Sequence, residues 1–249
     1  MAGHSQFKNI MYRKGAQDAK KAKIFTKITR EIITAVKTGI PDVNTNSRLR
    51  SAIQWARKEN MPRDRIETAI KRGSGNVESD NFEPVRYEGY GPGGTAVIVQ
   101  ALTDNRNRTA ADIRAAFNKF GGNMGETGSV SFMFDYAGII TYPLTAASDE
   151  KIFEIALEAG ADNCETTETQ HIISCGQEQF ATLREQLEKS LGEPESAKLG
   201  WHPKNTVPVS DEHAQIIVKM MDMLEDNDDV QDVYSNVELS DSFVKSLSA

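Results

Sequence analysis

Nine lysines and eight arginines fall within residues 1–72, against only six acidic residues. The rest of the 249-residue chain reverses the balance, with 12 basic and 30 acidic side chains, so the net charge of −7 describes neither part. Cations in such excess suit one chemistry above others: they hold phosphate oxygens and release the counterions condensed on a polyanion. The candidate contacts are His4, Lys8, Arg13, Lys14, Lys20, Lys21, Lys23, Lys27 and Arg30. Phe7 and Tyr12 lie between them, placed either to stack on unpaired bases or to anchor the segment on its own domain. The cations have two other outlets: solvation with i,i+4 ion pairs, and pairing with the acidic remainder of the chain. Six acids cannot neutralise 17 cations within the segment, so a polyanionic partner is the leading expectation. Charge alone does not separate DNA from RNA.

Three further stretches carry polar chemistry. Asp104-Asn-Arg-Asn-Arg-Thr109 sits where a strand gives way to a helix, with Asn107 or Thr109 as the expected cap. Its Arg106 and Arg108 suit either phosphate or a neighbouring carboxylate. Tyr87-Glu-Gly-Tyr-Gly-Pro-Gly-Gly94 is glycine-rich, but no Gly-Lys-Ser/Thr follows and it leads into a strand, so a tight turn between strands explains it. The acidic run 222–232 lacks the spacing of a calcium loop. It reads as a solvated helix end, facing away from any bound polyanion.

Other chemistries find little support. Cys164 and Cys175 do not form a CxxC pair, and the four histidines are scattered, so neither a metal site nor a cofactor is expected. No nucleophile–base set or paired carboxylates stand out, and the expectation is a protein that is not an enzyme. No apolar run approaches the ~20 residues that cross a bilayer, so no membrane partner is expected. The first residues carry charge but no apolar core of a secretory signal, which points to a cytoplasmic protein.

The elements that must position these residues follow from apolar periodicity. Residues 16–37 lack Gly and Pro and repeat Ile24, Ile28 and Ile32 at helical spacing. Helices are also predicted over 47–59 and from Pro62 to a stop at Gly73, making a three-helix domain with an extended, mobile arm over 1–15. A polar linker over 74–81 follows, then strands over 94–102, 129–134 and 138–142 around a helix over 109–120. Helix 149–159, a hairpin over 164–175, helix 178–191 and a strand over 197–201 continue in the order of a ferredoxin-like unit. The tail supplies a strand at 207–209, a helix over 211–224 and a strand over 230–235. The fold class is therefore multi-domain α + α/β: an N-terminal three-helix domain followed by two ferredoxin-like α+β domains, the last inserted into the second. The expected boundaries are 1–76, then 77–135 with 204–249, and the insert 136–203.

Gly3-His4-Ser5, Arg13-Lys14, Ala16-Gln-Asp-Ala-Lys20 and Lys23-Ile-Phe-Thr-Lys27 together resemble the YebC/PmpR family. The stretches 87–94 and 104–109, Met223-Leu-Glu-Asp226 and Asp229-Val-Gln-Asp-Val-Tyr234 are similar to its other signatures, in the same order. Gln6-Phe7 stands where the family has Lys-Trp, which lowers the charge of the arm. The resemblance implies a basic helical domain followed by two α/β domains, and a bacterial cytoplasmic regulator of transcription that binds promoter DNA. Some relatives, including the mitochondrial translational activator of cytochrome oxidase, imply the alternative: a ribosome-associated translation factor whose polyanion is ribosomal RNA. On either reading the acidic α/β domains would contact protein partners or orient the molecule. No catalytic residue carries over. No helix presents a clear set of base-reading side chains, which argues against high sequence specificity.

Overall fold

The computed structural model describes residues 17–75, 81–167 and 169–248. The expected arm over 1–15 lies outside the described residues, as does most of the expected linker.

Three helices open the chain: α1 (Gln17–Lys37), α2 (Ser47–Lys58) and α3 (Arg63–Ser74). Ile28, Ile32, Ile33 and Val36 of α1 meet Leu49, Ala52, Ile53 and Ala56 of α2 and Ile66 and Ala69 of α3 in one apolar core. Asn46 caps α2 by accepting the Leu49 N–H at 3.0 Å. Gly73 does not stop α3, which runs on to Ser74. Its role is steric: a Cβ there would sit 2.8 Å from the Val36 Cβ and 3.0 Å from the Ile33 carbonyl oxygen. Only glycine lets α3 approach α1 so closely.

The first α+β domain begins with β1 (Glu83–Tyr90), β2 (Ala96–Thr103), α4 (Arg106–Lys119) and the short β3 (Asn123–Met124). It resumes after the insert with β8 (Val207–Pro208), α7 (Asp211–Glu225), β9 (Val230–Ser235) and β10 (Val237–Glu238), and α8 (Asp241–Ser248) follows. The sheet order is β3-β1-β2-β9, antiparallel throughout, with α4 and α7 packed on it through Ile113, Phe117, Ile217, Met220 and Leu224. This is the ferredoxin-like order with one strand moved to the front of the chain. Strand β1 occupies the place of the usual third strand and joins β2 through the turn 91–95.

That arrangement corrects the reading of 87–94. Tyr87 to Tyr90 belong to a strand paired with β2, and only the last residues turn. Gly93 and Gly94 take φ of +70° and +76°, where side chains with a Cβ are strained. Helix α4 starts three residues before the expected 109, because Asn105 rather than Asn107 or Thr109 accepts the Arg108 N–H, at 3.1 Å.

The remaining residues, 134–204, form a compact unit of their own between Met133 and Asn205. Strands β4 (Phe134–Pro143), β5 (Asn163–Thr166), β6 (Gln170–Gly176) and β7 (Ser196–Pro203) take the order β5-β6-β4-β7, all antiparallel, with α5 (Asp149–Glu158) and α6 (Phe180–Leu191). The order is that of an unpermuted ferredoxin-like fold. Its core gathers Ile140, Tyr142, Ile152, Ile173, Leu183 and Leu187. One strand, β4, replaces the two expected over 129–134 and 138–142. The buried Glu88 carboxylate accepts the Val130 and Ser131 N–H groups at 2.9 and 2.8 Å, and 131–133 becomes a turn of 3-10 helix. Alternation at Val130, Phe132 and Phe134 suggested a strand, yet Phe132 is 63% exposed. Burial works to raise the Glu88 pKa, but the backbone N–H groups of this loop and the nearby Arg86 hold it below its ordinary range.

Candidate nucleic-acid interface

Helix α1 carries cations on two faces, and the structure treats them differently. Lys23, Lys27 and Arg30 recur at i, i+4 and i+7, which stacks them on one side of the helix. All three reach the end of α7 and the loop that leads into β9. Lys23 Nζ stands 2.9 Å from an Asp226 carboxylate oxygen. Lys27 Nζ donates to the Glu225 carbonyl at 2.8 Å, at the negative end of the α7 dipole. Arg30 donates to the Asp228 carbonyl at 2.6 Å, to the Leu102 carbonyl at 3.3 Å, and to the Asp229 carboxylate.

Asp229 is the centre of this cluster and is only 3% exposed. Its Oδ1 takes Arg30, while its Oδ2 accepts from Arg108 at 2.8 Å, Thr109 at 2.6 Å and Thr103 at 3.3 Å. Burial acts to raise its pKa, but hydrogen bonds from Arg108, Thr109 and Arg30 hold the carboxyl below its ordinary range. Arg108 is correspondingly shifted up, through Asp229 first and then Asp104, whose carboxylate it meets at 2.8 Å. Arg106 lies 3.7 Å from Glu83 and is otherwise turned to solvent.

The acidic run 222–232 is therefore not simply a solvated helix end. Asp226 and Asp229 are counterions to the basic face of α1, because a polar segment beside a row of cations finds its partners within the chain. Sequence reasoning named Asp229 only as one acid among many and missed Thr103 altogether. One signal was present: Asp229 immediately precedes the apolar strand Val230–Ser235, where a carboxylate is carried inward with its neighbours.

A different set of cations lies outside this contact. Lys21, Arg57, Arg65 and Lys71 are exposed and have no carboxylate partner among the described residues. Arg65 lies over the Phe25 ring at 5.6 Å, and Lys21 sits one turn before Phe25 on α1. Arg63 pairs with Glu67 at 2.8 Å on an open surface. Of the remaining candidates, Lys20 lies in the first turn of α1, and His4, Lys8, Arg13 and Lys14 lie outside the described residues. No group of three or more His, Cys, Asp or Glu residues capable of holding a metal occurs among the described residues. No described helix is long and apolar enough to cross a membrane.

Residues 5–76 match the family model described as the TACO1/YebC protein N-terminal domain, and residues 82–237 match the model described as the TACO1/YebC second and third domain. The chain belongs to the TACO1/YebC family. The model for the second and third domains carries a transcription-regulator name, which places this TACO1/YebC chain in a family of that description. A solved structure similar to it is a conserved hypothetical protein from Aquifex aeolicus, 44% identical. The match covers 92% of this chain and 95% of that one, with a TM-score of 0.85.

Proposed function

We propose that this TACO1/YebC protein is a non-catalytic, nucleic-acid-binding regulator of gene expression, acting on transcription by docking its helical domain on promoter DNA. The observation that carries the reading is the outward set Lys21, Arg57, Arg65 and Lys71: exposed cations without carboxylate partners among the described residues. Such side chains exchange water and counterions for phosphate at little structural cost. Phe25, under Arg65 and one helical turn from Lys21, adds an aromatic surface beside those two cations. The family's regulator name supports the same reading.

A second reading has its own support. The acidic α+β domains give the chain a net charge of −7, which opposes simple tight binding to a naked duplex. Ribosomal RNA on the ribosome, already screened by basic proteins, would use the same outward cations. Binding to a promoter fragment and co-sedimentation with ribosomes, both titrated with salt, separate the two. Sequence-selective duplex binding without ribosome association supports the transcriptional role, and the converse overturns it in favour of translation. Lys21→Glu with Arg65→Glu is expected to weaken whichever complex forms about 100-fold at low salt and to reduce the salt slope by about 2. Unchanged affinity in that variant removes the docking face and the proposal with it.

A further inference from the structure

We propose that Lys23, Lys27 and Arg30 form a second phosphate-binding row, which the chain keeps masked with the 225–229 segment and which a bound nucleic acid unmasks. The proposal rests on the nucleic-acid reading above and adds a regulatory contact to it.

The row and its mask are matched in form. Three cations on one face of α1 meet, in order, the Asp226 carboxylate, the Glu225 carbonyl, and the Asp228 carbonyl with the Asp229 carboxylate. A short run of oxygen acceptors with negative charge is what a phosphodiester strand presents to a protein. The segment thus occupies the acceptor positions that phosphates would take. Lys27 is 8% exposed in this state, so the row is closed to solvent at its middle.

Three features let the contact open. First, the apolar core of the helical domain and that of the α+β domain are separate clusters, and the α1 contact with 225–229 is made of ion pairs and hydrogen bonds. Such bonds exchange with other anions, whereas a shared apolar core would not. Second, Asp229 is held independently of α1. Its Oδ2 keeps Arg108, Thr109 and Thr103 when Arg30 departs, so opening leaves no isolated buried charge. Third, the Lys23–Asp226 pair is partly exposed on both sides, and offers an approaching phosphate a point of entry.

The test compares salt-titrated binding of a labelled duplex DNA fragment to the full chain and to Asp226→Asn/Asp229→Asn, which loosens the mask while keeping side-chain size. The expected result is binding about tenfold tighter at low salt, because the variant no longer has to open the mask, with the slope unchanged because the row meets phosphate in both complexes. Converting Lys23, Lys27 and Arg30 to Gln in that background should abolish the gain. Glu126→Gln/Glu212→Gln makes the same change in net charge at exposed acids away from the row, and should bring no comparable gain in affinity. Hydrogen exchange at α1 and at 222–230 should quicken on addition of DNA to the unmutated chain. Asp226→Asn alone, at an exposed position, covers the case in which the double variant does not fold, and should tighten binding about two- to threefold at low salt. Unchanged affinity in the unmasked variants, or an equal gain in the charge control, overturns the proposal while leaving the outward cations as the docking surface. Failure of the unmutated chain to bind any nucleic acid overturns the reading on which it rests.

Discussion

Lys23, Lys27 and Arg30 differ from Lys21, Arg57, Arg65 and Lys71 in nothing that composition records. The first three turn toward the end of α7 and are satisfied by carboxylates and carbonyls of the same chain. The other four turn to solvent and meet no carboxylate among the described residues. The difference arises from helix geometry. On α1, positions 23, 27 and 30 share one face, and Lys21 stands two residues before Lys23, about 200° around the axis. A count of cations therefore overstates a binding surface. The lasting charge of this domain is the part that its own acids cannot reach.

Breaking the inward contact should have the largest effect. Asp229→Ala takes from Arg30 its carboxylate, leaving the Asp228 and Leu102 carbonyls, and removes an acceptor of Thr103, Thr109 and Arg108, although Arg108 retains Asp104. Loss of one partner from a buried, hydrogen-bonded charge cluster costs about 3 to 5 kcal/mol, and the retained Asp104 pair places this case near the lower figure. Urea denaturation measures it, and a loss under about 1 kcal/mol would show the cluster to be dispensable. The pH dependence has a fixed sign. A carboxyl with a depressed folded pKa stabilises fully above its ordinary value of 3.8, and that stabilisation disappears as pH falls through the lower folded value. Asp229→Asn should remove this share of the acid-induced loss. An unaltered acid transition would assign it to other carboxylates.

Gly73→Ala sharpens the comparison from the outward side. The added methyl group would meet Val36 and the Ile33 carbonyl, and so push α3 away from α1. Overpacking of this kind costs about 1 to 3 kcal/mol. Since Arg65 on α3 lies over Phe25 on α1, the same shift should also disturb the outward set while leaving Asp229 untouched. Thermal denaturation beside DNA binding checks both parts. A fully stable Gly73→Ala protein would mean that the two helices separate without cost.

The legibility of the chain follows the same division between local and non-local physics. Helices α1 and α2 and strand β9 were readable within a residue or two, because their apolar spacing and end signals are local. The inserted domain was readable because its elements follow the ferredoxin-like order along the chain. Strand β1 was hidden: its run Tyr87-Glu-Gly-Tyr90 has two glycine neighbours and a buried carboxylate, and it pairs only because β2 supplies the ladder. The turn at 131–133 was hidden for a related reason, since it depends on Glu88, more than 40 residues earlier. As for the site, the excess of cations was plain, and so was their capacity to pair with the acidic remainder. Which cations pair was not, because Asp229 lies 199 residues from Arg30 and only the folded sheet brings them together.

The smallest expected effect is at the edge of the inward row. Lys23→Gln removes the pair with Asp226, whose two side chains are 39% and 63% exposed. Water and salt already screen such a pair, so its removal should cost no more than about 0.5 kcal/mol. Denaturation at low and high salt tests this: the small difference between Lys23→Gln and the unmutated chain should vanish at high salt. The contrast with Asp229→Ala is then a gradient along one helix face, weak at the solvent edge and strong at the buried end. A loss above about 1 kcal/mol that persists in high salt would mean that the row acts as a single rigid unit. In that event an incoming phosphate would have no weak edge at which to begin.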